Sequence, residues 1–276
     1  MNYKMVGFVL GRIFLIEAAL MLFPMGCAAI YGEWSVVLSF LWPTLILLAL
    51  GLITSLRTPQ NTKIYARDGL AIVALVWVLM SVFGALPFVI SGEIPSFADA
   101  FFETVSGFTT TGSTILTDVE ALSHGTLFWR SFSHWIGGMG VLVFAMAVLP
   151  MTDGRAMHLM RAEVPGPTCG KISSKLSDSA KILYAIYLVM TVIETILLCA
   201  GGMPLFDALI HAFGTAGTGG FSNKALSVGA YNSPYFEIVI GVFMLLFGIN
   251  FNLYYFLLLR HFREAFASCL LYTSDA

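Results

Sequence analysis

The sequence predicts an all-α integral membrane protein: two leading transmembrane helices, then two copies of a unit made of helix, half-helix, glycine- and threonine-rich loop, and helix. Three observations predict it. The chain is 58% hydrophobic and only 11% charged, with a mean hydropathy of +0.86, whereas a soluble domain of 276 residues needs far more surface charge. Long apolar stretches recur at the length that crosses a bilayer. A short motif rich in Gly and Thr occurs twice, each time between two such stretches.

The apolar stretches are 5–30, 35–56, 69–90, 127–149, 182–200 and 235–259. Each holds roughly the ~20 residues that span ~30 Å of hydrocarbon as a helix, so six spans are expected. The first follows Lys4, and Pro24-Met25-Gly26-Cys27 faintly resembles a lipoprotein cleavage site. The run is too long for a signal-peptide core, however, and further spans follow, so it reads as a retained helix. Two semi-apolar segments, 97–108 and 205–214, are about half a span long and suit re-entrant half-helices. Ser96 with Asp99 three residues on, just after Pro95, is a capping-box start for the first.

Charge sets the orientation. Lys4, Arg12, Arg57, Lys63, Arg67, Arg155, Arg161, Lys171, Lys175, Lys181, Arg260 and Arg263 fall on one face of this topology, which is twelve of the fourteen Lys and Arg residues. Only Arg130 and Lys224 fall on the other, beside Glu33, Glu93, Asp99, Glu103, Asp118, Glu120 and Asp207. The basic face reads as cytoplasmic, with the N-terminus inside and both half-helices entering from outside. The hydrophobic balance implies membrane lipid as partner, and the net charge of −2 with its distribution implies no nucleic acid. The four cysteines and five histidines are scattered without metal-ligand spacing.

The repeat is internal and in one orientation. Asp99-Ala100-Phe101-Phe102 leads to Gly107 and Thr109-Thr110-Thr111-Gly112; Asp207-Ala208-Leu209-Ile210 leads to Gly214 and Ala216-Gly217-Thr218-Gly219. The glycines superpose at one constant offset, and the Asp-Ala pair matches after a one-residue gap. A pore that strips water from a cation needs backbone carbonyls at membrane depth with no side chain in the way. Glycine supplies the backbone angles, and threonine adds hydroxyl oxygens. The negative end of each half-helix, aimed at its loop, favours a cation there. Taken singly each loop reads equally as an extracellular turn; recurrence behind matching half-helices favours the pore.

With these residues in place, the chain resembles the Trk/Ktr/HKT superfamily of potassium transporters, as a TrkH-like membrane subunit. The resemblance runs to about residue 267. It rests on Phe101-Phe102-Glu103-Thr104-Val105-Ser106-Gly107-Phe108-Thr109-Thr110-Thr111-Gly112, on Phe128-Trp129-Arg130 with Trp135-Ile136-Gly137-Gly138-Met139-Gly140, on Ala162-Glu163-Val164-Pro165-Gly166-Pro167, and on Gly219-Gly220-Phe221-Ser222. It implies four units around a pseudo-fourfold axis, of which this chain holds two. Residues 1–60 would be the extra helix pair, 61–155 the first pore repeat, 156–180 a cytoplasmic linker and 181–268 the second repeat. Filter carbonyls carry over to Thr109, Thr110 and Thr111 before Gly112, and to Ala216, Gly217 and Thr218 before Gly219. Family members with glycine at the Gly112 position favour potassium, whereas serine there accompanies sodium transport.

The resemblance further implies potassium uptake across the bacterial cytoplasmic (inner) membrane, with potassium as substrate and no cofactor in this chain. It also implies a homodimer and a docked cytosolic nucleotide-binding ring (TrkA-like). Two filter loops do not encircle an ion, so the missing C-terminal half of the subunit is an expected partner. Cys269-Leu270-Leu271-Tyr272-Thr273-Ser274-Asp275-Ala276 is what one reading frame of a common sequencing adaptor encodes, so 269–276 is expected to be an artefactual tail on a truncated reading. A sodium-conducting or sodium-coupled member of the superfamily is the rival within transport. A multi-spanning membrane enzyme using Glu194, His134 or Asp99 is the rival from another class, and a non-conducting half-subunit is the third.

Other residues carry two readings each. Glu194 and Glu17 lie within spans, where a carboxylate costs about 2.5–3.5 kcal/mol and therefore faces water or a partner. Glu194 suits a cavity or coupling role, or a hydrogen bond between helices. Asn250 and Asn252 suit a helix break, the cavity lining, or interhelical hydrogen bonds. Gly137, Gly138 and Gly140 suit close helix packing better than a hinge. Arg130, placed outside, is expected to pair with an acidic residue such as Glu103.

Overall fold

A computed structural model describes residues 2–56, 59, 61, 65–140, 176–249 and 251–258. The described residues are all-helical. In order, the helices are α1 (Tyr3–Leu20), α2 (Leu22–Ile30), α3 (Trp34–Ser55), α4 (Ala66–Ser91), α5 (Phe97–Phe108), α6 (His124–Gly138), α7 (Leu176–Ala200), α8 (Leu205–Ala216), a 3-10 turn (Ser227–Tyr231), α9 (Pro234–Gly248) and α10 (Phe251–Leu258).

Among the described residues, four helical stretches are long and apolar enough to cross a bilayer: Tyr3–Ile30, Trp34–Ser55, Arg67–Ser91 and Ala180–Ala200. The two other expected spans differ. The stretch expected at 127–149 is helical only to Gly138; Gly140 then takes φ +75, and 141–149 lie outside the described residues. The stretch expected at 235–259 is broken, because Ile249 is extended (φ −71, ψ 141) between α9 and α10. Asn250, at that break, lies outside the described residues, as do the 269–276 tail and nearly all of the basic linker.

Small residues let the leading helices approach closely. A Cβ on Gly11 of α1 would meet the Thr54 hydroxyl and, at 3.2 Å, the Gly51 carbonyl of α3. The core continues through α4, α5 and α6 around Trp129. That side chain is fully buried, stands edge-on to Phe40 and Phe108, and donates its indole N–H to the Gly84 carbonyl at 2.9 Å. Large apolar side chains such as Ile53, Val78, Ile196 and Leu245 point outward, as a lipid-facing surface requires. The short helix α5 packs against α4 and α6, and the short helix α8 packs against α7 and α9 and against α6 as well.

Candidate functional site: two matched loops behind half-helices

The first half-helix, α5, starts at Ser96, whose hydroxyl accepts from the Asp99 N–H at 3.4 Å. It ends at Thr109 and hands over to the loop. Thr110 takes φ +56, Gly112 takes φ +74, and the Thr111 N–H turns back to the Ser106 carbonyl at 3.0 Å. A left-handed threonine is an uncommon conformation that local context must hold.

A shift of 108 residues carries Phe97–Phe108 onto Leu205–Ala216, end to end. The same shift carries Thr110 onto Thr218 (φ +58) and Gly112 onto Gly220 (φ +78). It carries the contact of Gly112 N–H with the Ser106 carbonyl onto that of Gly220 N–H with the Gly214 carbonyl, at 3.5 and 3.1 Å. The glycine alignment of the sequence, which pairs Gly112 with Gly219, is one residue away from this backbone register. Ala216 therefore closes the second half-helix, and Gly217, Thr218, Gly219 and Gly220 follow as Thr109, Thr110, Thr111 and Gly112 do. Between Ala216 and Phe221 the chain holds three glycines, so a letter-matching alignment had a choice that only backbone angles settle.

The loops touch each other: a Cβ on Gly112 would run into the Gly219 carbonyl and lie 3.0 Å from its Cα. One face of α6 lies behind both. Along it, Gly137 abuts the Phe108 carbonyl of the first unit, while Gly138 sits 2.9 Å (from an added Cβ) from the Ala216 carbonyl of the second. Gly137 and Gly138 thus serve close packing, and Gly140 ends the helix region at positive φ.

Side chains tie each loop to its support. Glu103 is buried and accepts from the Thr114 hydroxyl at 2.9 Å and the Ile115 N–H at 3.2 Å. It also receives the Arg130 guanidinium at 2.5 Å. The expected Arg130–Glu103 pair exists, but in the interior rather than in an outer loop: the two side chains are 3% and 0% exposed. Arg130 reaches on to the second loop, donating to the Ser222 carbonyl at 3.0 Å and lying 3.7 Å over the Phe221 ring. In the second unit, Asp207 holds Asn223 at 2.6 Å and the Tyr231 hydroxyl at 2.7 Å.

Of the other residues singled out, Thr109 donates its hydroxyl to the Val105 carbonyl at 2.7 Å and shares a bond with Thr111 at 2.8 Å. Glu194 is fully buried on α7, and neither oxygen has a hydrogen-bond partner among the described residues; the Thr215 hydroxyl beside it is given to the His211 carbonyl. Glu17 is buried and unpartnered in the same sense. Sequence reasoning passed over His134 and His211 as parts of the loops' support. For His134 the signal was its spacing, since Arg130, His134, Gly137 and Gly138 fall on one helical face.

Glu33, between α2 and α3, joins the leading pair to α6. Its carboxylate accepts from the His124 and Gly125 N–H groups at 2.9 and 3.0 Å and contacts the His124 ring at 2.9 Å. Partial burial opposes ionisation, but the hydrogen bonds from Gly125 and His124 outweigh it and hold the carboxyl below its ordinary range.

Comparison with known proteins fits this architecture. The profile of the family described as "TrkH: Cation transport protein" matches residues 36–268. The Trk system potassium uptake protein TrkH of Salmonella typhimurium is 38% identical over 264 residues, covering 94% of this chain and 54% of that protein. The Escherichia coli K12 protein of the same name is 36% identical over 262 residues, with the same coverage of 94% and 54%. The crystal structure of the potassium transporter TrkH from Vibrio parahaemolyticus superposes with a TM-score of 0.77 at 32% identity, over 92% of this chain and 52% of that one. The chain spans about half the length of the curated relatives it matches. Those relatives are named as transport proteins, not enzymes, and the chain belongs to the TrkH cation transport family.

Proposed function

We propose that this chain supplies half of a potassium-conducting pore, with the remainder of the subunit supplying the other half. The two units are the repeats expected from the sequence, and the two loops are adjacent strips of a selectivity filter. In the backbone register, the ion-facing carbonyls are those of Thr109, Thr110 and Thr111 before Gly112, and of Gly217, Thr218 and Gly219 before Gly220. They replace part of the ion's hydration shell, and the C-terminal ends of α5 and α8 bias the site toward a cation. Potassium enters from the side bearing the acidic loops, which raise its local concentration. The N-terminus and the basic linker face the cytoplasm, where a nucleotide-binding ring of the TrkA type docks, and two subunits pair in the inner membrane. Glu194 and Asn250 are assigned to the inner cavity.

One observation carries this reading: two half-helices of equal length lead, at a single shift, into loops with the same left-handed threonine and glycine, and those loops meet. Two ordinary turns have no reason to share a strained threonine.

The test is rubidium influx into cells lacking potassium uptake, using the complete subunit. Gly112→Ala and Gly220→Ala place a side chain on a backbone of positive φ. Both are expected to lose most of the influx while remaining in the membrane. Gly229→Ala, where an added Cβ meets nothing within 4 Å, serves as the control. Undiminished influx in both loop variants overturns the proposal.

A further inference from the structure

His134 supports the loops from outside both of them. It lies on α6 of the first unit, yet its imidazole faces the loop of the second. A Cβ added to Gly217 would meet its Cδ2, and one added to Gly219 would meet its Nε2. Its ring stands 4.7 Å from that of Phe221. The Thr110 carbonyl oxygen of the first loop lies 2.8 Å from the same point beside Gly219 that His134 Nε2 crowds. The imidazole is thus wedged where the two loops come together.

The side chain is fully buried, and neither ring nitrogen has a hydrogen-bond partner among the described residues. An apolar side chain of similar volume would fill this space without leaving two polar atoms unsatisfied. A neutral imidazole carries one donor and one acceptor, and here the ring crowds Gly217 and Gly219, with the Thr110 carbonyl close by. A donor placed behind a filter carbonyl fixes its direction and lowers the field it offers an ion, and field strength is one determinant of selectivity among cations.

We infer that His134 is a positioning residue: its ring spaces the second loop from α6, and its Nε2, without a partner among the described residues, is the donor available to the carbonyls at the Thr110–Gly219 contact. It thereby sets cation preference from a helix outside both loops. This rests on the loops being the selectivity filter.

The test compares rubidium and sodium influx in the complete subunit for His134→Gln, His134→Leu and Gly220→Ala, with membrane abundance and thermal stability of the purified protein alongside. Glutamine places an amide N–H near the position of Nε2; leucine keeps bulk without a donor. The Leu variant is expected to lose about tenfold in rubidium-over-sodium preference, the equivalent of one net hydrogen bond, and the Gln variant to stay within about threefold of the unaltered protein. Equal preference in Leu and unaltered proteins overturns the inference, and so does loss of preference in a folded Gln variant. Should the Leu variant not reach the membrane, the Gln variant decides alone. If Gly220→Ala alters preference and His134→Leu does not, only this inference falls; if Gly220→Ala changes nothing, the pore reading falls and takes this inference with it.

Discussion

Behind the first loop stands a buried carboxylate answered by an arginine; at the matching place behind the second stands a histidine. Shifted by 108 residues, Glu103 corresponds to His211 and Thr114 to Ser222, and both pairs are in contact: Thr114 to Glu103 at 2.9 Å, Ser222 to His211 at 3.4 Å. Glu103 is answered by a buried arginine, whereas α9, which matches α6 end to end at a shift of 110, has Ile240 at the place of Arg130. The turn after each half-helix differs in the same way. In the first, the Ser106 hydroxyl donates to the Ser113 carbonyl at 2.5 Å. In the second, Gly214 stands at the place of Ser106, and its Cα lies against the Phe221 carbonyl so closely that a Cβ would collide with it. The helix after the first loop is capped by Ser123 and Glu33; the helix after the second begins with Pro234 and no side-chain cap. The backbone path is common and the chemistry holding it is not. Half-helix length and left-handed residues therefore fix the path, and the supporting side chains are free to diverge.

The largest effect should come from breaking the ionic support. Arg130→Met leaves the Glu103 carboxylate buried without its partner, a loss of about 3–5 kcal/mol that thermal melting of the purified protein would register. Replacing both, as Arg130→Met with Glu103→Leu, should recover a good part of it, giving a large coupling energy in a double-mutant cycle. If the double variant melts no higher than the single, the pair is not what holds the first loop.

Next in size is Gly214→Ala, which forces a methyl group against the Phe221 carbonyl and should cost about 1–3 kcal/mol. Smaller is Ser106→Ala, which removes one hydroxyl-to-carbonyl bond, worth about 0.5–1.5 kcal/mol. The order of these two sharpens the comparison, since close approach in the second unit is less forgiving than a hydrogen bond in the first. The smallest effect is on pH. The Glu33 carboxyl is held below its ordinary range, so its contribution is complete above about pH 4.3, the unfolded carboxylate value, and is lost as pH falls through the lower folded value. Melting temperature followed from pH 7 into acid should fall less for Glu33→Gln than for the unaltered protein, because the variant lacks that step.

Much of this was legible in the sequence. The first half-helix, expected at 97–108, is Phe97–Phe108, because Pro95, Ser96 and Asp99 mark its start and a Thr–Gly run its end. The second begins at 205 as expected but runs two residues further, to Ala216, since Thr215 and Ala216 are read as loop letters yet still complete helical bonds. The broken sixth stretch was foreshadowed by Asn250 and Asn252, although composition alone made it look continuous. What the sequence did not contain was depth. The order of the spans puts Arg130 toward the face of the acidic loops, and only the position of Glu103 on the half-helix shows why it is buried. The one-residue register of the second loop was likewise hidden, because Gly217, Gly219 and Gly220 offer equivalent letters and differ only in φ.

The most direct test is anomalous diffraction from crystals of the complete subunit grown in rubidium or thallium. Density between the carbonyls of Thr109–Gly112 on one side and Gly217–Gly220 on the other is the predicted result. Ions bound elsewhere along the axis, with none between these two loops, would contradict the assignment of the loops as a filter.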